Sequence, residues 1–220
     1  MAKTDLHSNQ ELETTSADLR QRIIDAAREK FTLLGYSKVA MSEIAAELGI
    51  SKKTIYREFA TKEDLLRAVL IPKIQKTSAE INAVFTSKTI PFLEKLTFIM
   101  SFIVRQHINS PQVLMRDIYT QVPDLWEEIQ TYKRKRAKGF EELLRQGVKE
   151  GVFRADVDPV LIAKFYSTIV ETLISPKVLA EIPYTSKEIY VALITVLFEG
   201  MLTNTTRKTF RISEVLSKVE

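Results

Sequence analysis

The stretch Met41–Lys62, MSEIAAELGISKKTIYREFATK, decides how this chain folds. It divides around Gly49 into two short segments with helical apolar spacing. In the first, Ile44, Ala45 and Leu48 fall at i, i+1 and i+4, with Glu43 and Glu47 on the other side. Ser42 is placed to cap that helix and Ser51 the next, each by accepting from a backbone N–H two or three residues on. Gly49 stands where a helix C-terminus takes a positive φ, which glycine adopts without steric cost. Ile50 then dips into the core. Ile55 and Phe59 lie one turn apart on the buried face of the second helix, leaving Lys52, Lys53, Thr54, Tyr56 and Arg57 outside. A helix–turn–helix of this kind puts the first turns of its second helix in the DNA major groove.

The outward residues suit that task. Lysine and arginine neutralise phosphates or bond guanine edges, and threonine reaches a base or a thymine methyl. Tyrosine combines a flat apolar ring with a hydroxyl that donates to phosphate. The helix N-terminus adds unpaired N–H groups and partial positive charge. Basic residues alone would describe a solvated helix face, but the glycine turn, the caps and the apolar spacing occur together here.

The segment Arg22 to Val69 closely resembles the N-terminal domain of the TetR family of bacterial transcriptional regulators. The resemblance rests on Ala26-Ala27, Phe31, Gly35-Tyr36, Ile44-Ala45, Gly49-Ile50-Ser51, Thr54-Ile55-Tyr56, Phe59, and Lys62-Glu63 followed by Leu65. It covers roughly a quarter of the chain; the remainder resembles the family only in length, helicity and layout. The resemblance implies an all-α protein with an N-terminal three-helix, helix–turn–helix domain and a larger C-terminal helical domain for ligand binding and dimerisation. It also implies a phosphate contact for Lys62, where a lysine opposes the helix dipole and a plain surface role is the alternative.

Composition agrees with a globular helical protein. Of 220 residues, 45% are hydrophobic and 27% charged, and the chain holds only 6 glycines and 7 prolines. The net charge is +4, which permits nucleic-acid binding without proving it. Its distribution is more telling. Residues 51–62 hold Lys52, Lys53, Arg57 and Lys62 against Glu58, whereas residues 1–18 hold Lys3 against four acids. The acidic N-terminal arm is therefore assigned no DNA contact. With 0 cysteines and 2 histidines, His7 and His107, a disulfide, a thiolate site or a histidine metal site is not expected. No secretory h-region and no bilayer-length apolar run occurs, which points to the cytoplasm.

Taken in order, residues 1–15 read as a disordered arm, 16–62 as the DNA-binding domain, 63–206 as the ligand-binding and dimerisation domain, and 207–220 as a tail. The first helix should start near Thr15 or Ser16, bury Ile23, Ala27, Phe31 and Leu34, and end at Gly35. Thr61 is a candidate cap for the fourth helix, which meets Pro72 and must bend or restart there, as a static bend or as a hinge. Leu96–Val104 is apolar nearly all round and should be buried on every side. Ser110-Pro111 and Asp158-Pro159 look like helix starts, and the last long helix should run from about Thr185 to Asn204. In the polar tail, Phe210, Ile212, Val215 and Leu216 are apolar. The cluster Lys133-Arg134-Lys135-Arg136 with Lys138 spans more than one turn, and solvated surface is the plainer reading than a second nucleic-acid patch.

The last two long helices, Val160–Ile174 and Tyr190–Leu202, are apolar enough to need partners on more than one face. Packing against the same pair in a second copy would make a two-fold homodimer, as the family does, and close approach would explain a glycine at Gly200. Such a dimer would read an inverted repeat in double-stranded DNA. Phe98, Phe102, Tyr119, Trp126, Phe165 and Tyr166 are the aromatic candidates for lining a cavity for a small, largely apolar effector, although any single one is more readily core. Glu171 lies in the apolar run FYSTIVETLIS and, if buried, needs a partner across the dimer interface or on a ligand, the interface being favoured.

Together these features predict a sequence-specific DNA-binding transcriptional regulator, a repressor released by a small molecule. The alternatives are an activator, or the same fold acting through protein partners. No acid–base pair, nucleophile elbow, metal cluster or phosphate-cradling loop suggests an enzyme, and no cofactor or metal is implied.

Overall fold

The computed structural model describes residues 2–108 and 111–211, with side chains from residue 17 onward apart from 103, 106–108 and 137. The described residues form α1 (Ala2–Leu34), α2 (Met41–Glu47), α3 (Lys52–Glu58), α4 (Lys62–Thr86), α5 (Phe92–Ile108), α6 (Gln112–Gln121), α7 (Pro123–Lys149), α8 (Pro159–Leu173), α9 (Pro176–Leu179), α10 (Ser186–Met201) and α11 (Asn204–Thr209), with no strand among them. The all-α expectation holds.

Most helix starts follow local chemistry. Asp158 accepts from the N–H groups of Val160 and Leu161 at the head of α8. Thr185 and Glu188 bond each other's backbone N–H at the head of α10, and Thr61 and Asp64 do the same before α4. Three elements bear on the expected layout. α1 begins at Ala2, ahead of Thr15 and Ser16, because no glycine or proline interrupts residues 1–34. α4 runs unbroken past Pro72 to Thr86. The loop expected between Pro176 and Pro183 holds the single turn α9, opened by Ser175 and Pro176. Ser110, Ile212, Val215 and Leu216 lie outside the described residues.

The helices form two compact units. The first takes the chain up to Lys73 together with Pro111–Trp126, so α6 joins α1, α2, α3 and the start of α4. Its core includes Ile23, Phe31, Ile44, Ile55, Phe59, Leu65 and Leu66, and α6 adds Leu114 and Ile118. The division after Lys73 falls one residue beyond Pro72.

The second unit takes the remaining described residues. Its core joins Phe92, Leu96 and Met100 of α5 to Phe140 and Leu144 of α7, Ala163 of α8 and Tyr190, Ile194 and Phe198 of α10. Gly147 is required here, since a Cβ would lie 2.3 Å from the Phe153 ring and 2.6 Å from that of Phe92. α5 is not sealed on every side as its composition suggested. Leu96, Ile99, Met100 and Val104 are buried, but Phe98 is 39% exposed.

Candidate nucleic-acid interface

α3 is held at its start by Ser51, whose Oγ accepts from the Thr54 N–H at 3.0 Å. Gly49 takes φ +66° in the preceding turn, and the Ile50 N–H reaches the Ala45 carbonyl at 2.9 Å, closing α2 onto the turn. Ile55 and Phe59 are buried beneath α3. Arg20 of α1 clamps the far end, its guanidinium lying 4.0 Å from the Phe59 ring centroid and donating to the Glu58 carbonyl.

That anchoring leaves one face free. Lys52, Lys53, Tyr56 and Arg57 are exposed, Tyr56 to 49%. Among the described residues, Lys52, Lys53 and the Tyr56 hydroxyl engage no hydrogen-bonding or ionic partner. Arg57 pairs with Glu58 at 3.2 Å, an exposed contact that phosphate can readily displace. Thr54 is half-buried, and its hydroxyl lies 2.8 Å from Ser51 Oγ, which leaves its methyl group as the reading surface.

Ser42 does not cap α2. The N-cap position is Ala40, and the Glu43 carboxylate accepts from the Ala40 N–H at 3.0 Å instead. Ser42 therefore sits within the first turn, half-buried. Lys62 also has a local role that its own helix did not reveal. Its ammonium lies 4.1 Å from the Tyr36 ring centroid. Burial lowers the Lys62 pKa, and the carboxylates of Asp117 and Glu43 oppose that shift. The ring and two acids hold the ammonium beside the turn that follows α1.

Sequence reasoning missed Arg20, Asp117 and Gln121. The Asp117 carboxylate accepts from the Ser37 N–H at 2.7 Å, and Gln121 bonds the Ser37 hydroxyl. Both come from α6, far along the chain, with no local pattern to flag them.

The six aromatic candidates for an effector site are divided between the two units. Phe98 and Phe102 stack with centroids 5.8 Å apart on α5. Tyr119 and Trp126 meet edge to face at 5.3 Å, within the first unit. Tyr166 packs against Phe140 at 4.6 Å, while its neighbour Phe165 is 47% exposed. Glu171 is exposed, not buried, because α8 presents Leu161, Phe165, Thr168, Glu171 and Thr172 on one outward face. The basic cluster of α7 also divides: Arg134, Lys135 and Lys138 are exposed, whereas Lys133 and Arg136 turn inward.

Residues 23–69 match the family described as bacterial regulatory proteins, tetR family. The chain is 28% identical over 153 residues to the HTH-type transcriptional repressor KstR2 of Mycolicibacterium smegmatis, covering 68% of this chain and 74% of that protein. These matches support a TetR-family transcriptional regulator. A shorter match, 32% over 68 residues, joins it to the HTH-type transcriptional regulator UidR of Escherichia coli, covering 31% of this chain and 35% of that protein. Solved structures share the fold of this chain. The ketosteroid transcriptional regulator KstR2 of Mycobacterium tuberculosis has a TM-score of 0.57 at 20% identity, covering 84% of this chain and 95% of that one. A TetR-family regulator from Marinobacter aquaeolei VT8 has a TM-score of 0.68 at 17% identity, covering 91% and 98%. The protein is a DNA-binding transcriptional regulator, and its matched relatives are regulators, not enzymes. Among the described residues no helix is long and apolar enough to cross a membrane.

Proposed function

We propose that this TetR-family regulator is a repressor that binds an inverted-repeat operator as a homodimer and leaves it when a small molecule enters its C-terminal domain. The observation that carries the reading is the free face of α3. Lys52, Lys53 and Tyr56 project from a helix that Ser51, Ile55 and Phe59 hold from behind, and they have no internal partners among the described residues. Groups left unpaired on a rigid element are preorganised for phosphates and base edges. Lys62 adds a phosphate contact beside them. Residues 16–62 would read DNA and residues 63–206 would hold the effector and the second copy, in the bacterial cytoplasm where the operator is.

The naming of the sequence relative KstR2 as a repressor supports the sign of regulation. Dimerisation through α8 and α10 is supported by their exposed apolar side chains, Leu161 and Phe165 on α8 and Val196, 73% exposed, on α10. Effector release requires that the ligand favour the state that does not bind DNA.

DNase footprinting of the DNA flanking the protein's own gene tests this reading. The expected result is protection of two symmetric half-sites about 10 bp apart, or a multiple of that spacing. Protection of a single asymmetric site would contradict the dimer, and uniform weak protection would contradict sequence-specific reading.

A further inference from the structure

A short helix lies where its two ends are held. α3 has 7 residues, about two turns, so a small shift at either end changes its pitch. Its start is fixed locally, by the Ser51 cap and the Gly49 turn. Its exit is fixed from a distance. The last carbonyls of a helix have no N–H four residues on to bond, and the chain leaves α3 at Phe59 in extended conformation, φ −137° and ψ 108°. The Phe59 N–H reaches back to the Ile55 carbonyl at 2.9 Å. The carbonyl of Glu58, the last residue of the helix, accepts instead from Arg20 of α1, 38 positions away.

Arg20 grips that exit twice. Its guanidinium donates to the Glu58 carbonyl and lies over the Phe59 ring, 4.0 Å from the centroid. Phe59 is only 2% exposed, so the ring is a fixed surface. A cation at a helix C-terminus meets the negative end of the helix dipole. A guanidinium also stacks on an aromatic face while its planar fork still donates. α1 is itself anchored in the core by Ile23, Ala27 and Phe31. Through Arg20 it reaches α3 directly, whereas its Lys30 pairs with Glu47 of α2 at 2.6 Å.

The two kinds of DNA contact differ in their tolerance of a shifted helix. Base edges are read by directional hydrogen bonds, while phosphates attract lysine and arginine from any sequence. A tilt of α3 degrades base reading first and leaves phosphate attraction largely intact.

We propose that Arg20 is a positioning residue for operator recognition: by holding the Glu58 carbonyl and the Phe59 ring it sets the pitch of α3 in the groove, and so determines sequence discrimination without touching DNA. This rests on the reading that the free face of α3 contacts bases. Arg20 is exposed, so a phosphate contact is the rival role, and the two differ in what their loss does. A lost phosphate contact weakens binding to all sequences alike and reduces the salt slope by about one. Lost positioning weakens operator binding selectively.

Fluorescence-anisotropy titration of the full chain tests this across a series of salt concentrations. The probes are the tightest-binding fragment from the DNA flanking the protein's own gene and a scrambled fragment of equal length. Wild type, Arg20→Met and Arg20→Lys are compared, with Lys53→Ala/Tyr56→Ala as the control for α3. Circular dichroism melts set a temperature at which all are folded. Arg20→Met should bind the operator roughly tenfold more weakly, the scale of one lost base contact, with its scrambled-DNA affinity and salt slope unchanged. Arg20→Lys, which keeps the charge without the planar fork, should recover part of the discrimination. Equal losses on both fragments with a shallower salt slope would overturn the proposal and make Arg20 a phosphate contact. A lower melting temperature with an unchanged ratio of operator to scrambled affinity would also overturn it, leaving a structural clamp. Operator binding that Lys53→Ala/Tyr56→Ala leaves intact would remove the reading of α3 as well.

Discussion

The backbone N–H of Ser37 donates to the Asp117 carboxylate at 2.7 Å, tying α6 to the turn that follows α1. Gln121 bonds the Ser37 side chain, and the Asp117 charge also acts on Lys62, which lies over the neighbouring Tyr36 ring. Replacing Asp117 with alanine should remove about 1 kcal/mol of stability and weaken DNA binding by loosening the turn and Lys62 together. Asp117→Asn keeps an acceptor and should recover most of the stability but less of the DNA affinity. Urea melts and DNA titrations on both variants check this.

The two turn glycines should respond differently to alanine. Both have positive φ, +85° at Gly35 and +66° at Gly49, so each change carries about 1 kcal/mol or more of backbone strain. A Cβ at Gly49 meets nothing, whereas at Gly35 it would lie 2.6 Å from Asp117 Oδ2 and 2.7 Å from Val113 Cγ1. Gly35→Ala should therefore lower the urea midpoint clearly more than Gly49→Ala. Equal losses would mean that α6 does not press on the turn.

Gly200 offers a test of the dimer face. Within the chain a Cβ there meets nothing, so alanine should stabilise α10 by up to about 1 kcal/mol through helix propensity. If α10 packs closely on a second copy, that gain is offset and the dimer weakens. Sedimentation equilibrium should show a dissociation constant raised several-fold in Gly200→Ala. An unchanged constant with a higher melting temperature would place the interface elsewhere.

Lys133 gives stability a pH dependence of known sign. Its pKa is about 8 folded against 10.5 for a free lysine. The folded state thus binds the proton less well, so Lys133 costs stability below pH 8, and that cost is relieved as pH rises from 8 towards 10.5. Lys133→Met should be more stable than the wild type at pH 7, by about 1–3 kcal/mol, and the difference should shrink between pH 8 and 10. Parallel melting curves at pH 7 and pH 9.5 check the trend.

The sequence was most legible where structure is set locally. Ser51, Thr61, Asp158 and Thr185 act as caps because a short polar side chain before an apolar-periodic run has little else to bond. Ser42 has the same chemistry but sits two positions past the N-cap, Ala40, whose N–H donates to the Glu43 carboxylate instead. Long-range pairing was not legible. Asp117 finds Ser37 across 80 positions. Similarly, five bases clustered on α7 gave no sign of which two turn inward, because that depends on where α8 and α10 lie. Phe98, Phe165 and Glu171 are exposed on the single chain, because an apolar neighbourhood in sequence does not say which helix face meets the core.

The central claim is that the free face of α3 reads DNA. Fluorescence-anisotropy titration against fragments flanking the protein's own gene tests it most directly, comparing wild type with Lys53→Ala/Tyr56→Ala at two salt concentrations. Tight binding to one fragment, well above a scrambled control, weakening steeply with salt and lost in the double variant, is the predicted result. No binding even at low salt, or binding that the double variant retains in full, would contradict it.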